Sequence, residues 1–232
     1  MPAARTDDAT ARRRARALRI AGLYAITPDL ANTDDLAARV AAALAGGAAA
    51  IQYRNKTAGD ELRRAQALAL ARVHAIRGGL FIVNDDAALA VEAGADGVHI
   101  GMEDASIAAA REIVGPHRLV GVSCYNDLVL AKTAVAQGAD YVAFGSFFPS
   151  SVKPQARRAP AELLLQARSL GVPVVAIGGI TAANAAALVH AGASAVAVIT
   201  AVFDAADVEA AARAIANAFP SISFSSNPIH TE

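Results

Sequence analysis

Short apolar runs alternate with longer, alanine-rich amphipathic segments along almost the whole chain. Four of the runs follow a similar phrase: Gly46-Gly47-Ala48-Ala49-Ala50-Ile51, Gly94-Ala95-Asp96-Gly97-Val98, Gly138-Ala139-Asp140-Tyr141-Val142 and Gly192-Ala193-Ser194-Ala195-Val196. A glycine just past a helix end takes the left-handed conformation that stops the helix, and a short apolar run behind it reads as a buried parallel strand. From Gly47 the steps to Gly94, Gly138 and Gly192 are 47, 44 and 54 residues, each with room for two strand–helix units. The intervening strands are Leu23-Tyr24-Ala25-Ile26-Thr27, Leu80-Phe81-Ile82-Val83-Asn84, Leu119-Val120-Gly121-Val122-Ser123 and Pro173-Val174-Val175-Ala176-Ile177. Interleaving the two sets gives eight strands, each followed by a helical pattern; residues 34–44, 60–76 and 182–190 are the clearest helices. An open, doubly wound sheet is the competing arrangement, but eight evenly spaced units favour a single closed (β/α)8 barrel, the TIM barrel. The segment before residue 20 predicts an extra helix. The chain therefore divides into an N-terminal extension over 1–19, a barrel domain over 20–219, and a tail over 220–232 whose serines and prolines predict a frayed end.

Composition narrows the function. Hydrophobic residues make up 55% of the 232 and charged residues 18%, enough apolar material for a large core. Basic and acidic side chains balance at 21 each, which excludes a general nucleic-acid binder, for which a basic excess is the rule. The local exception is Arg12-Arg13-Arg14 with Arg16 and Arg19, read as a solvated helix face, with an RNA- or phosphate-binding arm as the alternative. Cys124 is the sole cysteine, so no intrachain disulfide forms and a reducing compartment suits the chain. No apolar stretch is long enough to span a bilayer, and the arginines near the start, without an apolar core and cleavage site behind them, are not expected to form a secretory signal. The expected location is cytoplasmic.

In a barrel of this kind, chemistry sits at the C-terminal ends of the strands. The second strand ends in Gln52-Tyr53-Arg54-Asn55-Lys56, the third in Asn84-Asp85-Asp86, and the fourth leads into His99-Ile100-Gly101-Met102-Glu103-Asp104. The fifth ends at Ser123-Cys124-Tyr125, the sixth runs into Gly145 to Pro154, the seventh ends in Gly178-Gly179-Ile180-Thr181, and the eighth in Ile199-Thr200. Asp85 and Asp104 are candidate Mg²⁺ ligands, because that ion takes one or two carboxylates, waters and phosphate oxygens. Capping the next helices is their alternative role, one that suits Asp86 well. Arg54, Lys56 and Lys153 are available to a polyanion. Gly178 and Gly179 allow close backbone approach, either for a phosphate or simply for the turn, and Thr181 is a candidate helix cap. His99 lies between two apolar residues and reads as a hydrogen-bonded inner residue, Cys124 lacks an adjacent base, and His74 and His117 look like surface positions.

Together, the order and spacing of these phrases resemble the thiamine phosphate synthase (thiamine-phosphate pyrophosphorylase) family from about Leu23 to Phe203. The resemblance implies a transferase that joins 4-amino-5-hydroxymethyl-2-methylpyrimidine diphosphate to 4-methyl-5-(2-phosphooxyethyl)thiazole, releasing pyrophosphate and giving thiamine phosphate. It implies Mg²⁺ held by Asp85 and Asp104, and a diphosphate site of Gln52, Arg54, Lys56, Asn84, Ser123 and Lys153, with Arg54, Lys56, Ser123 and Lys153 acting in catalysis. It implies a thiazole phosphate site of Ser150, Ser151, Val152, Gly178, Gly179, Ile199 and Thr200. The implied partners are these two small molecules; nucleic acid and membrane are not expected, and assembly into a homo-oligomer is left open. The resemblance further implies a dissociative reaction, in which pyrophosphate leaves and the thiazole nitrogen captures the resulting cation. Such chemistry calls for cations and a dry pocket rather than a nucleophile.

Two positions depart from the family pattern. Ser150-Ser151-Val152-Lys153 stands where Thr-Pro-Thr-Lys is frequent, so Val152 lacks a hydroxyl, and Tyr125 stands where some relatives have histidine. A thiazole tautomerase-like paralogue is the nearest rival, but it has no use for the set Arg54, Lys56, Asp85, Asp104 and Lys153. A non-catalytic thiamine-pathway binding or regulatory protein is the rival from another class.

Overall fold

The computed structural model describes residues 3–101, 106–149 and 157–220, with side chains from residue 8 onward. Its order is α1 (Ala3–Ala17), β1 (Gly22–Ile26), α2 (Thr33–Ala45), β2 (Ala48–Tyr53), α3 (Asp60–Arg77), β3 (Leu80–Asn84), α4 (Ala87–Glu92), β4 (Gly97–Gly101), α5 (Ile107–Val114) and β5 (Leu119–Ser123). There follow α6 (Leu128–Ala136), β6 (Tyr141–Gly145), α7 (Glu162–Ala167) with a short 3₁₀ turn at Arg168–Leu170, β7 (Val174–Ile177), α8 (Ala185–Ala191), β8 (Ala195–Val198), α9 (Thr200–Phe203) and α10 (Val208–Ala216). Every neighbouring strand pair is parallel, and β8 closes onto β1 through Gly22↔Ala195 to Ala25↔Val198. The barrel is the predicted one. The open sheet is excluded by that last pairing.

Alternation along each strand sorts the core into two shells. Leu23, Ala25, Ile51, Phe81, Val83, Val98, Val120, Val142, Phe144 and Val196 face the helices. Tyr24, Ile26, Ala50, Leu80, Ile82, Leu119, Tyr141, Val175, Ala195 and Ala197 fill the barrel, with Ala17 and Ile20 packed against them. Small inward residues on β8 together with bulky ones on β3 and β6 fit the filling of a packed barrel rather than a pore.

The recurring phrase has a structural meaning. Gly47, Gly94, Gly138 and Gly192 all have positive φ, from 65° to 116°, where a helix ends and the chain turns into a strand. Two residues later the side chain clasps the start of the preceding strand. Asp96 accepts from Phe81 N at 2.9 Å, Asp140 from Val120 N at 2.8 Å, and Ser194 from Val174 N at 3.1 Å. In the first copy of the phrase that position is Ala49, which has no such acceptor.

The N-terminal helix corrects the reading of its arginines. Arg12, Arg14 and Arg19 are exposed, but Arg13 donates to buried Asp140 at 2.8 Å and to Pro116 O, and Arg16 pairs with Asp96 at 3.6 Å. The reason is geometric: α1 lies across the N-terminal end of the barrel, where the clasping carboxylates offer acceptors. His74 is also not at the surface. It is buried, stacks on Phe81 with ring centroids 4.8 Å apart, and takes Gly78 O as partner of Nδ1.

Candidate active site

At the opposite end of the barrel the strand ends surround a cavity of about 580 Å³, within the usual size range of a small-ligand site. One wall is the segment after β2. The Thr27 hydroxyl, just past β1, accepts from Arg54 N and donates to Arg54 O, both at 2.8 Å, which fastens the backbone at Arg54 to the end of β1. Asp29 Oδ1 accepts from Arg54 Nη1 and from the Lys56 backbone N at 3.0 Å each, so one carboxylate orients the Arg54 guanidinium and pins the backbone that carries Lys56. Between them Asn55 turns inward, donating to Leu30 O and Gln66 Oε1 and accepting from Thr57 and Ala58 N. Arg54 and Lys56 are thereby directed to the cavity by a buried amide network.

The neighbouring wall is Asn84-Asp85 after β3. Asp85 holds a left-handed backbone at φ 62°, costly for a residue other than glycine and best tolerated by Asp or Asn. Its N–H donates to His99 O at 2.7 Å, and Asn84 Nδ2 donates to its Oδ2 at 2.6 Å. A smaller recess of about 240 Å³ lies beside it, lined by Arg54, Lys56, Arg63, Asn84, Asp85 and Asp86 among others. Asp86 does what a cap does, accepting from Leu89 N at 2.8 Å, and Ser106, not an aspartate, caps α5.

The floor is polar but uncharged. Gln52, Tyr24, Tyr141, His99 and Ser123 form a hydrogen-bonded row from β2, β1, β6, β4 and β5. Burial pulls the His99 imidazole down to about 4 and pushes both tyrosine phenols well above their usual range, so every member of the row is neutral at physiological pH. Cys124 is buried on the helix side of β5 with its thiol pushed up to about 12, again by burial, which removes it as a nucleophile.

The far wall is made by β7 and β8. Gly178 and Gly179 line the cavity, and the loop after β6 packs on them, with Phe148 N donating to Gly178 O at 3.0 Å. A Cβ on Gly178 would meet Ser146 Oγ at 2.1 Å and one on Gly179 would meet Pro149 O at 2.2 Å, so no side chain fits either position. Thr181 is not a helix cap: its N–H donates to Asn184 Oδ1, and α8 begins after Asn184. Ile199 and Thr200 stand at the start of the one-turn helix α9, both facing the cavity.

The family model described as thiamine monophosphate synthase matches residues 23–202, most of the chain. This chain belongs to the thiamine monophosphate synthase family. A thiamine-phosphate synthase of Thiobacillus denitrificans is 57% identical over 192 residues, covering 82% of this chain and 91% of that protein. One from Chromobacterium violaceum is 53% identical over 201 residues, covering 87% and 97%. Among solved structures, a thiamine phosphate pyrophosphorylase from Pyrococcus furiosus superposes with a TM-score of 0.79 at 35% identity, covering 88% of this chain and 96% of that one.

Within this member of the thiamine monophosphate synthase family, one cavity brings together Gln52, Arg54, Lys56, Asn84, Asp85 and Ser123 with Gly178, Gly179, Ile199 and Thr200. Asp104, Ser150, Ser151, Val152 and Lys153 lie outside the described residues. Tyr24 and Tyr141, which line the cavity, and Asp29, which holds one of its walls, are residues that sequence reasoning passed over. The tyrosines sit inside apolar runs that read as core, and Asp29 lies two residues past a strand without a partner visible in the sequence. Alternation was the available signal: Tyr24 and Tyr141 share the inward face with Gln52 and His99.

Proposed function

We propose that this chain, a transferase, condenses 4-amino-5-hydroxymethyl-2-methylpyrimidine diphosphate with 4-methyl-5-(2-phosphooxyethyl)thiazole, giving thiamine phosphate and pyrophosphate. The observation that carries the proposal is a single cavity with Arg54 and Lys56 on one wall, glycine backbone and a helix start on the other, and an uncharged hydrogen-bonding floor between them. The two walls suit two anions, a diphosphate and a monophosphate, and the floor suits a neutral heterocycle held through hydrogen bonds.

In the reaction the methylene carbon–oxygen bond breaks, its electron pair leaving with pyrophosphate, and the thiazole nitrogen lone pair forms the new carbon–nitrogen bond. No proton has to move. Arg54 and Lys56, with Lys153, offset the charge that builds on the departing oxygen, and Asn84 and Ser123 donate to phosphate oxygens. Asp29 keeps the Arg54 guanidinium oriented and the backbone at Lys56 in place before substrate arrives, which lowers the reorganisation needed at the transition state. The apolar side chains of Ile26, Val175 and Ile177, which line the cavity, restrict water that would otherwise trap the cation. On the far wall the backbone at Gly178 and Gly179 and the start of α9 at Ile199 and Thr200, with Ser150, Ser151 and Val152, hold the thiazole phosphate.

Asp85 fits a Mg²⁺ site. It presents an exposed carboxylate beside the cations in a backbone conformation that few residues tolerate, and Asp104 would complete the pair. Among the described residues no group of three or more His, Cys, Asp or Glu side chains gathers as a metal cluster. Bound there, Mg²⁺ supplies Lewis acidity to the leaving diphosphate. We place the activity in the cytoplasm, in keeping with a chain whose described helices include none long and apolar enough to cross a membrane.

The test is direct. The purified protein is mixed with both phosphorylated substrates and Mg²⁺, and thiamine phosphate is sought by chromatography. Formation of product is expected. Absence of product, while a known synthase makes it in parallel, overturns the proposal.

A further inference from the structure

The polar row across the cavity floor has a direction. Gln52 Nε2 donates to the Tyr24 phenol oxygen at 2.9 Å, the Tyr24 and Tyr141 hydroxyls are 2.9 Å apart, Tyr141 lies 3.2 Å from His99 Nδ1, and His99 Nε2 lies 2.9 Å from Ser123 Oγ. Tyr24 and Tyr141 are buried, and among the described residues no other group bonds to either hydroxyl. Each hydroxyl has one proton to give, and a neutral imidazole carries one proton on one nitrogen.

These counts, with the Gln52 amide nitrogen facing Tyr24, determine the order. With the Gln52 amide donating to Tyr24, the Tyr24 proton goes to Tyr141, the sole acceptor within its reach. Tyr141 then gives its own proton to His99 Nδ1. The imidazole proton is left on Nε2, aimed at the Ser123 oxygen, and Ser123 finds no acceptor in the row. Its proton turns to the cavity. The opposite order strands the Tyr24 proton in the barrel without an acceptor, and buried donors are seldom left so.

We infer that Gln52 is a positioning residue that, through two tyrosines, fixes the tautomer of His99 and makes Ser123 a hydrogen-bond donor towards the ligand. The proton order stands on the geometry of the row with the Gln52 amide nitrogen facing Tyr24; that the ligand atom receiving the Ser123 proton is a phosphate oxygen, and that Gln52 touches substrate, rest on the proposed function. Gln52 therefore acts in two ways: its free amide valences contact substrate, and its remaining donor sets the polarity of a group three strands away. This also accounts for two tyrosines, expensive to bury, standing where apolar residues would fill the barrel equally well.

The experiment reads the His99 proton without substrate. Protein labelled with ¹⁵N at histidine is examined by long-range ¹H–¹⁵N NMR at pH 8, the His99 signals being those missing from His99→Gln. In the unaltered protein the proton is expected on Nε2. A proton on Nδ1, or on both nitrogens, overturns the inference, and this first spectrum needs no variant to fold. In Gln52→Glu, whose carboxylate accepts only, the Tyr24 proton turns back to residue 52, the row reverses, and the His99 proton moves to Nδ1. If that variant is folded, as shown by its thermal melt, and keeps the proton on Nε2, transmission through the tyrosines is refuted. Adding Tyr24→Phe to Gln52→Glu cuts the row and restores the Nε2 proton. Persistence on Nδ1 there means the new carboxylate acts on His99 through space, which also refutes the relay. Because none of these spectra requires turnover, failure here and failure of the proposed reaction are separately visible.

Discussion

Replacing Gly121 by alanine tests how tightly the barrel interior and the cavity floor are coupled. Gly121 lies on the inward face of β5, and its backbone is ordinary, so an alanine there suffers no conformational strain. What it meets is Tyr141: a Cβ would lie 2.0 Å from Cζ and 2.4 Å from both Cε1 and the hydroxyl oxygen. Ordinary carbon–carbon contact is about 3.5–4.0 Å, so the ring must shift by roughly 1.5 Å. A shift of that size breaks the 2.9 Å bond to Tyr24 and the 3.2 Å contact with His99. Overpacking costs about 1–3 kcal/mol, and the two lost hydrogen bonds add about 0.5–1.5 kcal/mol each. The sum is about 2–6 kcal/mol, which at about 2–4 °C per kcal/mol for a domain of this size lowers Tm by roughly 5–20 °C. Differential scanning calorimetry measures the stability, and initial rates of thiamine phosphate formation measure the function. We expect kcat/KM to fall at least tenfold even well below the new Tm, because Ser123 loses its ordered neighbour. A variant with a Tm within about 1 °C of the parent and unchanged kcat/KM would refute both the packing argument and the importance of the floor.

Three further outcomes follow from other parts of the molecule. Asp85→Ala is expected to abolish Mg²⁺-dependent turnover and, because alanine tolerates the left-handed backbone at φ 62° less well than aspartate, to lower Tm by a few degrees, roughly 2–5 °C; near-parental activity moves the metal elsewhere. Asp140→Asn, at a buried carboxylate that accepts from Arg13, Arg111 and Val120 N, is expected to destabilise by about 2–4 kcal/mol in urea denaturation without altering KM, since it lies at the end of the barrel away from the cavity. His99 titrates near 4 in the fold against 6.5 in the unfolded chain, so on acidification the unfolded chain takes up a proton first. Stability from this group is whole above pH 6.5 and is lost as pH falls towards 4, by about 3 kcal/mol in all. His74, lowered by burial, adds in the same sense. A Tm at pH 5 equal to that at pH 7 contradicts this.

The barrel was legible in the sequence because its strands are buried on both faces and its helix ends are marked by glycine. Leu80–Asn84 and Leu119–Ser123 have the bounds that their hydrophobicity predicts, whereas the helix predicted over 182–190 begins only at Ala185, because Asn184 folds back on Thr181 and Gly179 first. Charged residues at strand ends were equally legible: Arg54, Lys56 and Asp85 stand out against apolar neighbours. Tyr24 and Tyr141 did not, since an aromatic residue within an apolar run has the same signature whether it packs or hydrogen-bonds. The roles of Arg13 and Arg16 were hidden for another reason, that their partners are about a hundred residues away and only chain closure brings them together.

That closure has a consequence for how the molecule is made. Arg13 and Asp140 are 127 positions apart, and Asp140 is held in place by β5. During synthesis α1 leaves the ribosome well ahead of the residues that secure it, so it waits undocked while most of the barrel is translated. Its arrival at Asp96 and Asp140 then reports that the fourth, fifth and sixth strands are already side by side. A fluorophore pair across that contact would signal assembly of the far half of the barrel from a helix that belongs to none of its eight repeating units.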